Sequence, residues 1–102
     1  MSNLFSLQGR VALVTGGSRG IGRMIAAGFL KQGAKVYISS RKAMACDATA
    51  EELAPLGTCI SLPADVSTVA GAQALAAELA QREPALDILV NNAGAAWGES
   101  FD

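Results

Sequence analysis

The sequence predicts an α/β fold in which a parallel sheet is wound with helices on both faces. Short apolar runs alternate with helix-patterned stretches along the chain, the order that βαβ units require. Those runs are nearly all apolar, as expected of strands covered on both sides. The first run, Val11-Ala12-Leu13-Val14, passes directly into the glycine-rich turn Thr15-Gly16-Gly17-Ser18-Arg19-Gly20-Ile21-Gly22 and then into a helical pattern. A strand, a glycine turn and a helix start in that order make a phosphate-binding element. Glycines let the backbone approach a ligand closely, and the helix N-terminus offers it unpaired N–H groups.

Strand one is predicted over Arg10 to Thr15. Helix one follows from Arg19 to Gln32, with Ile21, Met24, Ile25, Gly28 and Phe29 on one face at helical spacing and Gly33 placed to end it. Strand two spans Lys35 to Ser39, and helix two Lys42 to Leu53, closed by Pro55 and Gly57. Strand three is Thr58 to Pro63. Helix three covers Thr68 to Arg82, with Ser67 as its N-cap and Pro84 beyond its end. Strand four, Asp87 to Val90, leads straight into Asn91. No repeat, low-complexity tract or linker intervenes, so residues 1–102 read as one domain.

Composition narrows the function classes. Lys and Arg number 8 against 9 Asp and Glu, and aromatics make up 5%, so no basic nucleic-acid face is expected. No apolar run reaches the roughly 18 residues of a membrane span. Residues Met1 to Ser6 lack the basic start and apolar core of a secretory signal, which points to a cytoplasmic protein. Cys46 and Cys59 have no CxxC spacing and there is no His, so no metal site is expected. The cysteines read as reduced thiols, a disulfide between them being the alternative.

The glycine spacing is that of neither a P-loop, since Arg23 and Met24 follow Gly22, nor the Gly-x-Gly-x-x-Gly fingerprint. It is Gly16-x-x-x-Gly20-x-Gly22 after Thr15, joined further on by Asn91-Asn92-Ala93-Gly94. With both motifs the chain resembles the short-chain dehydrogenase/reductase family. That resemblance implies a Rossmann-type doubly wound sheet. The strands seen here would be its first half, 3-2-1-4 of the order 3-2-1-4-5-6.

The resemblance also implies roles. Gly16 serves the turn, Gly20 the close approach and Gly22 the packing of helix on strand. Ser18 donates to a phosphate oxygen, and Ile21 lies near the nicotinamide, although the bare residue reads equally well as core. The Thr15 hydroxyl ties the glycine loop to the Asn91 turn, unless it is an ordinary strand-end threonine. Asn91 braces the sheet, while Asn92, Ala93 and Gly94 run along the cofactor ribose. Asp65 accepts from the adenine amino group and the Val66 N–H meets the ring. Asp65 reads also as a cap of helix three.

Strand two decides which nicotinamide cofactor fits. An acidic residue at its end binds the ribose 2′-OH of NAD, whereas a basic one accommodates a 2′-phosphate. Here the stretch is Ser39-Ser40-Arg41-Lys42, without an acid. A carboxylate at Ser40 would repel the phosphate; Arg41 can grip it with a bidentate hydrogen bond. In the family Arg19 approaches the same phosphate from the other side. The expected cofactor is therefore NADP(H), against the alternative that Arg41-Lys42 is only the solvated start of a helix.

The family's catalytic Ser and Tyr-x-x-x-Lys pair have no counterpart here. Tyr37, the single tyrosine, is followed four residues later by Arg41 and reads as a packed strand residue. No catalytic residue is therefore assigned. The chain is expected to be the cofactor-binding portion of a longer enzyme, truncated before its catalytic half and inactive alone. The resemblance is strongest to 3-oxoacyl-[acyl-carrier-protein] reductase-like members. It implies a parent homo-oligomer that transfers hydride from NADPH to a carrier-bound or small-molecule carbonyl substrate. The alternative is a non-catalytic NADP-binding or redox-sensing module on the same fold. Trp97 has no assigned role.

Overall fold

The structure, a computed structural model, describes residues 6–92. Its elements in chain order are β1 (Val11–Thr15), α1 (Gly20–Lys31), β2 (Lys35–Ser39), α2 (Ala43–Leu53), β3 (Cys59–Ser61), α3 (Val69–Arg82) and β4 (Ile88–Asn91), with a 3-10 turn at Ala54–Leu56 after α2. The strands form one 4-stranded sheet in the order β3-β2-β1-β4. Every pairing is parallel, with Leu13 opposite Tyr37 on one side and Leu89 on the other.

The central strands are buried on both faces, as their apolar runs predict. Ala12, Val14, Val36 and Ile38 pack beneath α1 and α2, against Ala26, Leu30, Cys46 and Leu53. Leu13 and Tyr37 point the other way, against Leu75 and Leu79 of α3 and against Leu62 and Val66 of the segment between β3 and α3. Each fully buried Leu, Ile or Val contributes roughly 1.5–3 kcal/mol relative to exposure. Both cysteines are free thiols, Cys46 buried and Cys59 half-buried.

Helix α1 turns a different face to the sheet from the one its large apolar residues mark. Its buried positions are Gly22, Ala26 and Leu30. Ile21 and Met24 are 66% and 70% exposed. Close approach is the reason: a Cβ on Gly22 would lie 2.1 Å from the Gly16 carbonyl oxygen, so small residues must face inward. Ile25 and Phe29 flank this stripe, half-buried, and Gly28 is exposed. The helix ends as expected: Gly33, with φ of +96°, sends its N–H to Leu30, while the Ala34 N–H returns to Phe29.

The N-cap of α3 is Thr68, not Ser67. The Thr68 hydroxyl accepts from the Gly71 N–H at 2.9 Å. Ser67 instead donates its N–H and hydroxyl to the Asp65 carboxylate, closing a short turn ahead of the helix. Asp65 thus does not cap α3 through its side chain. A Cβ on Gly71 would strike the Asp65 carbonyl, which explains a glycine in the helix's first turn. β3 is shorter than the predicted Thr58 to Pro63, yet the Thr58 carbonyl and Leu62 N–H still bond to β2. β4 begins one residue late because the Asp87 carboxylate turns back to accept from the Val11 N–H at 2.8 Å.

Candidate nucleotide-binding site

The turn after β1 is held open toward the C-terminal ends of the strands. Gly16 and Gly20 have φ of +66° and +61°, in the left-handed region where a side chain is strained. The N–H groups of Gly16 and Gly17 both donate to the Ser39 carbonyl, at 2.7 and 3.3 Å, so the loop lies over the end of β2. Gly17 is required there, since a Cβ would meet Ile38 Cγ2 at 2.9 Å. No motif reading singles out Gly17, because its constraint comes from a strand twenty residues on. On the far side, the Asn92 side-chain amide donates to the Gly16 carbonyl at 3.3 Å.

Thr15 fastens the loop to the last strand. Its hydroxyl accepts from the Asn92 N–H at 3.0 Å and lies within donating distance of the Val90 carbonyl and Asn91 Oδ1. Thr15 is completely buried, so this bridge is worth more than a surface contact. The expectation that Thr15 ties the glycine loop to the asparagine turn is met.

A cleft of about 380 Å³ opens beside the loop. Gly16, Ser18 and Arg19 line one wall, Ser40 and Arg41 a second, and Asp65 and Val66 a third. Periodicity and composition place none of these three segments near another, while the family resemblance assigns all three to one cofactor; the parallel crossovers bring their strand ends together. Lys42, Ala45 and Ser67 also line the cleft and are not among the sequence-assigned residues. Lys42 escapes because it reads as helix start, and Ser67 because it reads as a cap. Gly20 and Gly22 shape the loop without lining the cleft. Ile21 projects into solvent, which removes the core reading of it. Ala93 and Gly94 lie outside the described residues.

The electrostatics favour an anion. Arg19, Arg41 and Lys42 border the cleft. α1 and α2 begin at its walls with no acidic residue in their first turns and no side-chain cap, leaving their first N–H groups to a ligand. Asp65 is the acid of the lining. The Ser67 hydroxyl and N–H, and then the Arg41 guanidinium, hold its carboxyl below the usual range. It is ionised at neutral pH and accepts only, as a partner for an amino group must. A close-approach glycine loop, uncapped helix starts and paired arginines fit a phosphate-rich nucleotide.

The sequence profile described as short chain dehydrogenase matches residues 10–102. The chain belongs to the short-chain dehydrogenase family. Among its short-chain dehydrogenase relatives is the rhamnolipids biosynthesis 3-oxoacyl-[acyl-carrier-protein] reductase of Pseudomonas aeruginosa, 55% identical over 102 residues, which are 100% of this chain and 40% of that protein. A sorbitol dehydrogenase of Cereibacter sphaeroides is 44% identical over 87 residues, 85% of this chain and 33% of the relative. In three dimensions the chain superposes on Pseudomonas aeruginosa RhlG, solved as an NADP active-site complex, with TM-score 0.89 and 56% identity, over 94% of this chain and 39% of that one. A hydroxysteroid dehydrogenase from Escherichia coli gives TM-score 0.85 at 34% identity, covering 93% and 41%. The chain thus spans between a third and about two fifths of the length of these relatives.

Proposed function

We propose that residues 1–102 form the NADP(H)-binding unit of a cytoplasmic, homo-oligomeric oxidoreductase that reduces a 3-oxoacyl thioester to the 3-hydroxyacyl product. The observation that carries the cofactor reading is that Arg19 and Arg41 line one cleft, with Ser40 and no carboxylate at the end of β2. In this reading both guanidiniums take the ribose 2′-phosphate. The α1 N-terminus and Ser18 take the pyrophosphate, Asp65 and Val66 the adenine, and Ile21 and the Asn92-Ala93-Gly94 segment the nicotinamide ribose. The bound cofactor supplies the hydride; this chain binds and orients it. The 3-oxoacyl substrate is inferred from the identity to the Pseudomonas reductase. Tyr37 plays no part in proton transfer, because its hydroxyl is committed to Glu83 on the α3 side of the sheet.

Calorimetric titration of the chain with NADPH and NADH tests the reading. Replacing Ser40→Asp and Arg41→Ala together should weaken NADPH by on the order of ten- to a hundredfold, the equivalent of one hydrogen bond to a charged group, and leave NADH nearly unchanged. The difference should narrow as salt rises, since the arginines are exposed. Equal losses for both cofactors would place the 2′-phosphate elsewhere.

A further inference from the structure

Thr49 sits in the second turn of α2, only 4% exposed. A threonine within a helix commonly turns its hydroxyl to its own preceding turn or to water. This one donates instead to the Ser18 carbonyl at 2.8 Å, across 31 residues of sequence. Most hydroxyls so buried are hydrogen-bonded, and the partner here is the glycine loop itself.

The placement has a mechanical meaning. The entry of the loop is fixed by the Ser39 carbonyl, which holds the Gly16 and Gly17 N–H groups, and by Asn92 on the Gly16 carbonyl. Its exit, the Ser18–Arg19 peptide, is fixed by Thr49. The helix that carries Thr49 starts at the opposite wall of the cleft, where Lys42 is its N-cap and Arg41 precedes it. One rigid helix therefore links the wall bearing Arg41 to the wall bearing Arg19. A further tie, the Arg23–Glu52 ion pair, lies one turn along but is exposed at both ends and contributes little to holding the spacing.

We propose that Thr49 is a positioning residue which sets the distance between the Arg19 and Arg41 walls, and through it the preference for a 2′-phosphorylated dinucleotide. The inference rests on the NADP(H) reading above. Without the tether Arg19 loses its fixed departure from the loop, so a ligand gripped by both arginines suffers more than one gripped by neither.

The test titrates NADPH, NADH and adenosine 2′,5′-bisphosphate into the chain and its Thr49→Val, Thr49→Ala and Thr49→Ser variants. Thr49→Val keeps the volume and loses the hydroxyl. It should weaken NADPH and the bisphosphate by about five- to tenfold, the scale of one neutral hydrogen bond, and NADH by less than about twofold. Thr49→Ala should lower the NADPH-to-NADH ratio by the same factor, so the result does not hang on the folding of one variant. Thr49→Ser should restore the ratio. A ratio unchanged in Thr49→Val and Thr49→Ala, or a serine variant as unselective as the valine one, overturns the proposal. Failure of the unaltered chain to bind NADPH would instead overturn the functional reading beneath it.

Discussion

Ser39 shows how finely the loop seat is divided between backbone and side chain. Its carbonyl holds two N–H groups of the glycine loop, while its own hydroxyl is buried without a hydrogen-bond partner among the described residues. An unsatisfied buried hydroxyl costs about 1–3 kcal/mol, whereas removing it leaves only a small gap. Ser39→Ala should therefore hold stability or raise it by up to about 1 kcal/mol. The carbonyl that seats the loop stays in place. Urea unfolding checks this, and a loss beyond about 1 kcal/mol would mean that the hydroxyl is bonded. The sequence offers no sign of it, because a serine at a strand end looks the same with or without a partner. Thr15, by contrast, is legible from its place beside two recognisable motifs.

At the scale of elements, β2 and α3 are joined by a charged cluster. The Tyr37 hydroxyl donates to Glu83 Oε2 at 2.6 Å, and Lys35 Nζ contacts the same oxygen at 2.5 Å. Lys35, then Tyr37, hold the Glu83 carboxyl below its ordinary value of 4.5. Lys35 is raised above 10.5, chiefly by Glu83, and Tyr37 above 10.0, chiefly by burial. A depressed acid stabilises the fold above its unfolded pKa and loses that contribution as pH falls through the folded one. The raised groups contribute below about pH 10 and lose it as pH climbs through their folded values. Glu83→Gln should accordingly flatten the fall in urea midpoint between about pH 6 and pH 3, and Tyr37→Phe should flatten it less. An unchanged acid slope in Glu83→Gln would show that another carboxylate governs it.

The order and approximate spans of these elements are legible because apolar runs, Gly33, Pro55 and Pro84 mark them. The packed face of α1 is not. Periodicity weighs large apolar residues, but the sheet selects small ones where backbones touch at Gly22 and Ala26. The cap of α3 is misplaced for a similar reason: Ser67 and Thr68 are both good caps, and the carboxylate of Asp65 decides between them.

Across the whole molecule the two sheet edges differ. β3 is short, whereas β4 pairs with β1 on one side and, among the described residues, with nothing on the other. Leu89 and Leu86 are 47% and 38% exposed beside an apolar groove of about 250 Å³ between β4 and α3. An apolar edge of this kind is a template for pairing with another chain. The 102-residue chain should self-associate at micromolar concentration, and Leu89→Lys should reduce it. Light scattering decides: a monodisperse monomer for the unaltered chain would refute the prediction. The glycine loop is read from the sequence at this scale and the strand order from the family resemblance it carries, whereas the shape of the cleft is not read from either. Its walls come from segments that only the crossovers juxtapose.

The fasteners of the glycine loop carry a lesson about portability. The motif is written as one run from Thr15 to Gly22, but it is gripped from Ser39, Thr49 and Asn92. Grafted elsewhere as a strand, loop and helix, it would carry every glycine and none of these clamps. What travels as a cassette in the alphabet does not travel as one in space: a host must bring its own carbonyl, hydroxyl and amide to the same three points.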